Sequence, residues 1–185
     1  DLTDSINTMV AAIPHRGPDA HGSWTDEQAG IALGHTRLSI IDLSESGAQP
    51  MVSLSGRYIV SFNGEIYNFI EIKRELSSLG YNFKGNSDTE VLLTALEHYG
   101  IKEGVTKLHG MFAIALWDRQ LSELTLIRDR VGEKPLYFGQ SGDSIFFGSE
   151  LKCFFDLPFF AKSIDQKVVG LYLKYKYIPS PYTIF

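Results

Sequence analysis

Across residues 111–148 the chain offers four short runs rich in β-branched and aromatic residues, at 111–117, 123–128, 135–138 and 144–148. Polar turns such as Asp118-Arg119-Gln120 and Gln140-Ser141-Gly142-Asp143 separate them. Strands in antiparallel runs, grouped apart from the helices, specify α+β layering rather than alternating βαβ units. Two further strand-like stretches precede them, at 30–41 and 57–63. In the second, Tyr58, Val60 and Phe62 alternate with smaller or more polar residues, as a strand with one buried face requires.

The helical segments are equally legible. Leu2, Ile6, Met9, Val10 and Ile13 recur at helical spacing until Pro14 stops the pattern. Residues 15–22 and 42–50 are dense in turn formers and read as loops. Over 68–79, Phe69, Ile72, Leu76 and Leu79 form one stripe that Gly80 can end in a left-handed conformation. Ser87-Asp88-Thr89-Glu90 has the form of a capping box, in which Ser87 would bond the amide of Glu90 while the Glu90 carboxylate reaches back. Val91, Leu92, Ala95 and Leu96 give that helix its apolar face, and Gly100 closes it. Helical patterns return at 150–155 and 165–175, and no internal repeat or linker interrupts the chain.

Composition excludes several classes of function. At 185 residues the chain is the size of one domain by the soft prior of roughly 150 residues each. With 44% hydrophobic and 21% charged residues it is not a disordered tail, and it can bury a core without disulfide or metal staples. A single cysteine excludes an intrachain disulfide framework. No apolar run reaches the ~18 residues of a membrane span, so a membrane role is not expected. Seventeen Lys+Arg against 22 Asp+Glu give a net charge of −5, which argues against nucleic acid as a partner. A cytoplasmic globular domain is the expectation. The chain has no Gly-x-Ser-x-Gly elbow and no Cys-x-x-Cys, His-Glu-x-x-His or calcium-loop pattern, so no metal is expected. Ser141-Gly142-Asp143-Ser144 lacks the second glycine and the lysine of a phosphate loop and reads as a hairpin turn.

The informative residues lie in three places. Arg37 follows Gly34-His35-Thr36, Asn63-Gly64-Glu65-Ile66-Tyr67-Asn68 stands at the end of a strand, and Asp88 lies in the first turn of a helix. Singly, each has a plain explanation: a surface ion-pair partner, a turn, and a complement to the helix dipole. Together they supply complementary chemistry. A guanidinium grips a carboxylate bidentately, two carboxylates hold an ammonium, and a side-chain amide with an unobstructed glycine N–H points at one oxygen. That set fits a free amino acid whose side-chain carbonyl is about to be attacked.

Further blocks stand in order along the chain: His15-Arg16-Gly17-Pro18-Asp19, Arg37-Leu38-Ser39-Ile40, Gln49-Pro50, Gly110-Met111-Phe112-Ala113, Arg128-Asp129-Arg130-Val131-Gly132-Glu133-Lys134-Pro135-Leu136-Tyr137 and Ser149-Glu150-Leu151-Lys152. With the three groups above, they resemble the glutaminase domain of glutamine-hydrolysing asparagine synthetases, a class II glutamine amidotransferase of the N-terminal-nucleophile (Ntn) hydrolase type. The resemblance covers essentially the whole chain. It implies a four-layer αββα sandwich, two antiparallel sheets between helices. It also implies L-glutamine held with its α-carboxylate at Arg37, aided by backbone groups of Leu38, Ser39, Ile40 and Ile41. The α-amino group would meet Glu65 and Asp88, and Asn63 with Gly64 would form the oxyanion hole. The family's nucleophile is a cysteine that opens the mature chain and uses its own amine as base. Ammonia then passes through a tunnel to a C-terminal synthetase domain using ATP and Mg, whereas the glutaminase domain itself needs no cofactor.

One departure is plain. The chain opens Asp1-Leu2-Thr3-Asp4, within what resembles the first helix, where the family has a strand starting Cys-Gly-Ile. Cys153 sits in an aromatic-rich helical stretch with no free amine beside it and reads as a structural thiol. The chain alone is therefore expected to be inactive, with truncation favoured over a natural relic because every pocket residue is in place. Residues 1–165 are assigned to the glutaminase domain. Residues 166–185, with an apolar end from Tyr182 to Phe185, are assigned to the connection to an absent synthetase domain. Two alternatives stay open: the equivalent half of a sugar-phosphate or phosphoribosyl amidotransferase, and a non-catalytic module that binds glutamine or props a partner. A homodimer also stays open.

Overall fold

In a computed structural model of the chain, residues 1–38 and 47–185 are described. A four-stranded antiparallel sheet forms the centre, with strands in the order β3 (Met51–Val52), β4 (Tyr58–Ile66), β5 (Gly110–Asp118) and β6 (Glu123–Arg128). Both faces of its middle strands are covered. Val60, Phe62 and Ile66 of β4 and Phe112, Ile114 and Leu116 of β5 turn one face toward helices α2 (Phe69–Ser78), α3 (Asp88–Tyr99) and α4 (Ile101–Lys107). Ile72, Leu76, Leu92 and Leu96 meet them there, each less than 5% exposed. Each such leucine contributes about 1.5–3 kcal/mol by leaving water.

The opposite face carries Ile59, Ala115 and Trp117, which pack on Ile31 and Leu33 and on the partly buried Trp24 and Phe147. These residues come from two antiparallel ribbons, β1 (Ala20–Asp26) with β2 (Ile31–Arg37), and β7 (Tyr137–Ser141) with β8 (Ser144–Gly148). Helix α1 (Leu2–Ala11) closes the far side. Ile6 and Val10 press so closely on β2 that a Cβ at Gly34 would lie 2.6 Å from Val10 Cγ2. Met9 and Ile13 join Phe146, Cys153, Phe154 and Leu157 in a third apolar cluster. The layering is helices, sheet, sheet layer, helix, the four-layer α+β sandwich expected. Its second sheet, however, is split into two ribbons. Helix α5 (Gln166–Tyr175) ends the regular structure, and no described helix is long and apolar enough to cross a membrane.

Several local expectations are corrected. Strand β1 begins at Ala20, inside the stretch read as a loop, because its polar residues form an outer strand with little apolar alternation. Strand β4 runs three residues past Asn63, and α4 was not anticipated. The segment at 151–154 is a 3₁₀ turn. The capping box does not close as expected. Ser87 Oγ accepts the N–H of Thr89 at 3.1 Å, and the Glu90 carboxylate takes the N–H groups of Lys84 and Gly85, which the preceding loop folds back toward it.

Candidate active site

A cavity of about 270 Å³ opens where the ends of β2 and β4 meet the start of α3. Arg37, Leu38, Asn63, Gly64, Glu65 and Asp88 all line it. Ser39, Ile40 and Ile41, also expected here, lie outside the described residues.

Arg37 closes β2, and its backbone is pinned from the N-terminal side. Its carbonyl accepts the N–H of Asp19 at 3.1 Å. The His15-Arg16-Gly17-Pro18-Asp19 block packs so tightly that a Cβ on Gly17 would lie 2.3 Å from Arg37 N. Leu38 follows, 56% exposed at the rim.

Asn63, Gly64 and Glu65 lie inside β4, not at a turn after it, so their spacing is held by the ladder to β5. Asn63 Nδ2 donates to Ser149 Oγ at 3.4 Å. Gly64 stands opposite Phe112, whose own N–H and C=O are engaged by Asp129. Gly64 and Phe112 are thus not a hydrogen-bonded pair, and the alternation of an antiparallel ladder turns the Gly64 N–H away from β5. It faces the edge of β4 beyond β3, whose pairing ends at Val60. On that edge the neighbouring outward amides are held by side chains: Phe62 N–H donates to Gln49 Oε1 at 2.6 Å and Ile66 N–H to Asp88 Oδ2 at 3.0 Å. No side chain fits at Gly64, where a Cβ would lie 2.2 Å from Met111 O.

Electrostatics suit a zwitterionic ligand. Burial pushes the Asp88 carboxyl above its ordinary range and the Glu65 charge adds to this, against the lowering effect of the Ile66 and Thr89 amides. A carboxylate in that position gains from a cation, and the ammonium of an amino acid supplies one. Arg37, on the other wall, supplies the complementary charge.

Residues to which the sequence assigned no role of their own also belong here. His35, pushed down to about 4 by burial and by the Arg37 charge, is neutral near pH 7. Lys134 reaches the cavity from a loop organised by Asp129. Burial works to raise the Asp129 carboxyl, but the amides of Lys134, Glu133, Phe112 and Val131 outweigh it and hold it at about 2. Nothing in local pattern distinguishes such residues from ordinary loop and strand positions. Among the described residues, no group of three His, Cys, Asp or Glu could hold a metal ion.

A second, larger cavity of about 550 Å³ runs between β2 and β8, roofed by α1 and floored by β4 and β5. Arg16, His35, Thr36 and Asn63 line both, so the slot opens onto the polar cavity. Trp117, also on the slot's wall, carries a buried Nε1 with no hydrogen-bond partner. Cys153 is 3% exposed among Phe154 and Leu157, and burial raises its thiol above the ordinary range. It does not line the polar cavity.

Known proteins resemble this chain in sequence and in fold. The chain is 41% identical over 188 residues to asparagine synthetase [glutamine-hydrolyzing] 1 of Bacillus subtilis, and 35% identical over 202 residues to putative asparagine synthetase [glutamine-hydrolyzing] 2 of Methanocaldococcus jannaschii. Both matches take in 100% of the chain but only 28% and 38% of the relatives' lengths. Among solved structures, the glutamine phosphoribosylpyrophosphate amidotransferase of B. subtilis superimposes with a TM-score of 0.70 at 23% identity, over 82% of this chain and 40% of that one. Its likeness shows the fold. The family model of the glutamine amidotransferase domain matches residues 1–185 from end to end, and the chain belongs to that family.

Proposed function

We propose that this chain carries the glutamine-binding, glutamine-hydrolysing half of an asparagine synthetase-like amidotransferase, with residues 1–165 forming that half and residues 166–185 leading to the synthetase domain. The observation that carries this reading is the convergence of Arg37, Asn63, Gly64, Glu65 and Asp88 on one cavity. Arg37 takes the α-carboxylate of glutamine, and Glu65 and Asp88 take the α-ammonium. Asn63 Nδ2 and the Gly64 N–H receive the side-chain carbonyl oxygen as it gains charge.

The nucleophile in this reading is a cysteine opening a strand that occupies the slot. β2 and β8 both run toward the polar cavity, Arg37 ending one and Ser149 following the other beside Asn63. A strand antiparallel to both, the more stable pairing, therefore starts at Asn63. Its α-amine removes the thiol proton through water while sulfur adds to the amide carbon. The C–N bond then breaks, the proton leaves with ammonia, and water hydrolyses the thioester to glutamate. The relatives are named as glutamine-hydrolysing asparagine synthetases, which supports the ammonia's use in making asparagine; an ATP- and Mg-dependent amidation of aspartate or a related carboxylate, by a synthetase domain outside these residues, belongs to the same proposal.

The test is a chain extended at its amino end by a strand that opens on cysteine, assayed for glutamate. It should hydrolyse glutamine, and Asn63→Ala should slow it by about 10²–10³, as for loss of one oxyanion donor. Residues 1–185 alone should release none. Glutamine hydrolysis by the unextended chain, a thioester on Cys153, or an unchanged rate in Asn63→Ala would contradict the assignment.

A further inference from the structure

Gln49 occupies a position that the chemistry of the site does not by itself require. Its Oε1 accepts the Phe62 N–H at 2.6 Å, and its Nε2 donates to Thr89 Oγ1 at 3.4 Å. Because the Phe62 amide can only donate, the side-chain oxygen must face β4, which leaves the NH₂ group for Thr89. Its backbone is fixed from a third side: a Cβ on Gly22 of β1 would lie 2.2 Å from the Gln49 carbonyl oxygen.

The sequence neighbours of these anchors give the contact its meaning. Phe62 precedes Asn63, and Thr89 follows Asp88. Farther along the same edge of β4, Asp88 itself captures Ile66 N–H at 3.0 Å. The outward-facing amide of Gly64 lies between these two clamps. One clamp is Asp88, which belongs to the ammonium end of the substrate. The other is Gln49, which touches both β4 at the oxyanion end and α3 next to Asp88. The separation between the oxyanion donors and the ammonium site is thus bridged twice, by Asp88 itself at Ile66 and by the Gln49 amide between Phe62 and Thr89.

Resting on the glutamine reading above, we propose that Gln49 is a positioning residue that sets this separation and thereby selects the side-chain length of the amide substrate. Glutamine fits the span, and asparagine, one methylene shorter, cannot reach both ends. A methylene is worth about 10–200-fold in such discrimination.

Calorimetric titration of glutamine and of asparagine into the chain reads this directly, with melting temperature followed alongside. The wild type should favour glutamine. Gln49→Met keeps the volume but removes both polar contacts, and it should lower the glutamine-to-asparagine affinity ratio at least tenfold. Thr89→Val removes only the second anchor and should lower the ratio by a smaller factor. It also serves as the test should Gln49→Met fail to fold. A structural role alone would lower the melting temperature and leave the ratio unchanged, and that result in a folded variant overturns the proposal. A wild-type chain that binds glutamine but shows no preference over asparagine also overturns it while sparing the functional reading. Absence of glutamine binding by the wild type overturns both.

Discussion

His35 stands where the slot and the polar cavity join, and its titration reports on that junction. Its pKa falls from 6.5 to about 4 through burial and the Arg37 charge, so over that interval the unfolded chain binds a proton that the folded chain refuses. Stability contributed by the neutral ring is present above pH 6.5 and is lost as the pH falls toward 4. The full effect is up to about 3 kcal/mol. The raised Asp88 carboxyl acts in the opposite sense, so the comparison must be between otherwise identical chains. Urea unfolding of His35→Asn should lack the part of the acid destabilisation that the wild type shows across this window, and parallel profiles would refute it. At this scale the sequence was informative where function demands a charge or an amide. Arg37, Asn63, Glu65 and Asp88 are recognisable because their chemistry is complementary. Gln49 stands out only as part of a block shared with the family and His35 not at all, because what matters in them is a backbone partner or a degree of burial that only the folded chain sets.

Strand β4 is the element on which the site depends. Its alternation was legible as far as Asn63, where the Asn-Gly pair mimics a turn. What continues the strand is the ladder to β5 through Ile66, a long-range pairing that local pattern cannot contain. The glycine is there for close approach and not for an unusual backbone angle. Gly64→Ala must push against the Met111 carbonyl, and such overpacking costs about 1–3 kcal/mol. For a domain of this size that lowers the melting temperature by a few degrees per kcal/mol. A variant melting with the wild type and binding glutamine equally would show that β4 and β5 are not so tightly apposed. Helices α1, α2 and α3 were legible within a few residues because each combines an apolar stripe with a stop signal, and α5 showed as a helical pattern over 165–175. Helix α4 was hidden by its shortness and by Gly104, and β1 by its polar outer position.

Over the whole molecule, α+β layering followed from strands grouped apart from helices and the four-layer order from the family resemblance, whereas the division of the second sheet followed from neither. That division leaves a slot whose open end meets the polar cavity. The central claim is that the polar cavity is a glutamine site, and isothermal titration of L-glutamine into residues 1–185 tests it most directly. The account predicts saturable one-to-one binding, weakened about 10- to 100-fold by Arg37→Ala, as expected for loss of a charge-assisted hydrogen-bond pair. No heat of binding, or equal affinity in the wild type and Arg37→Ala, would contradict it.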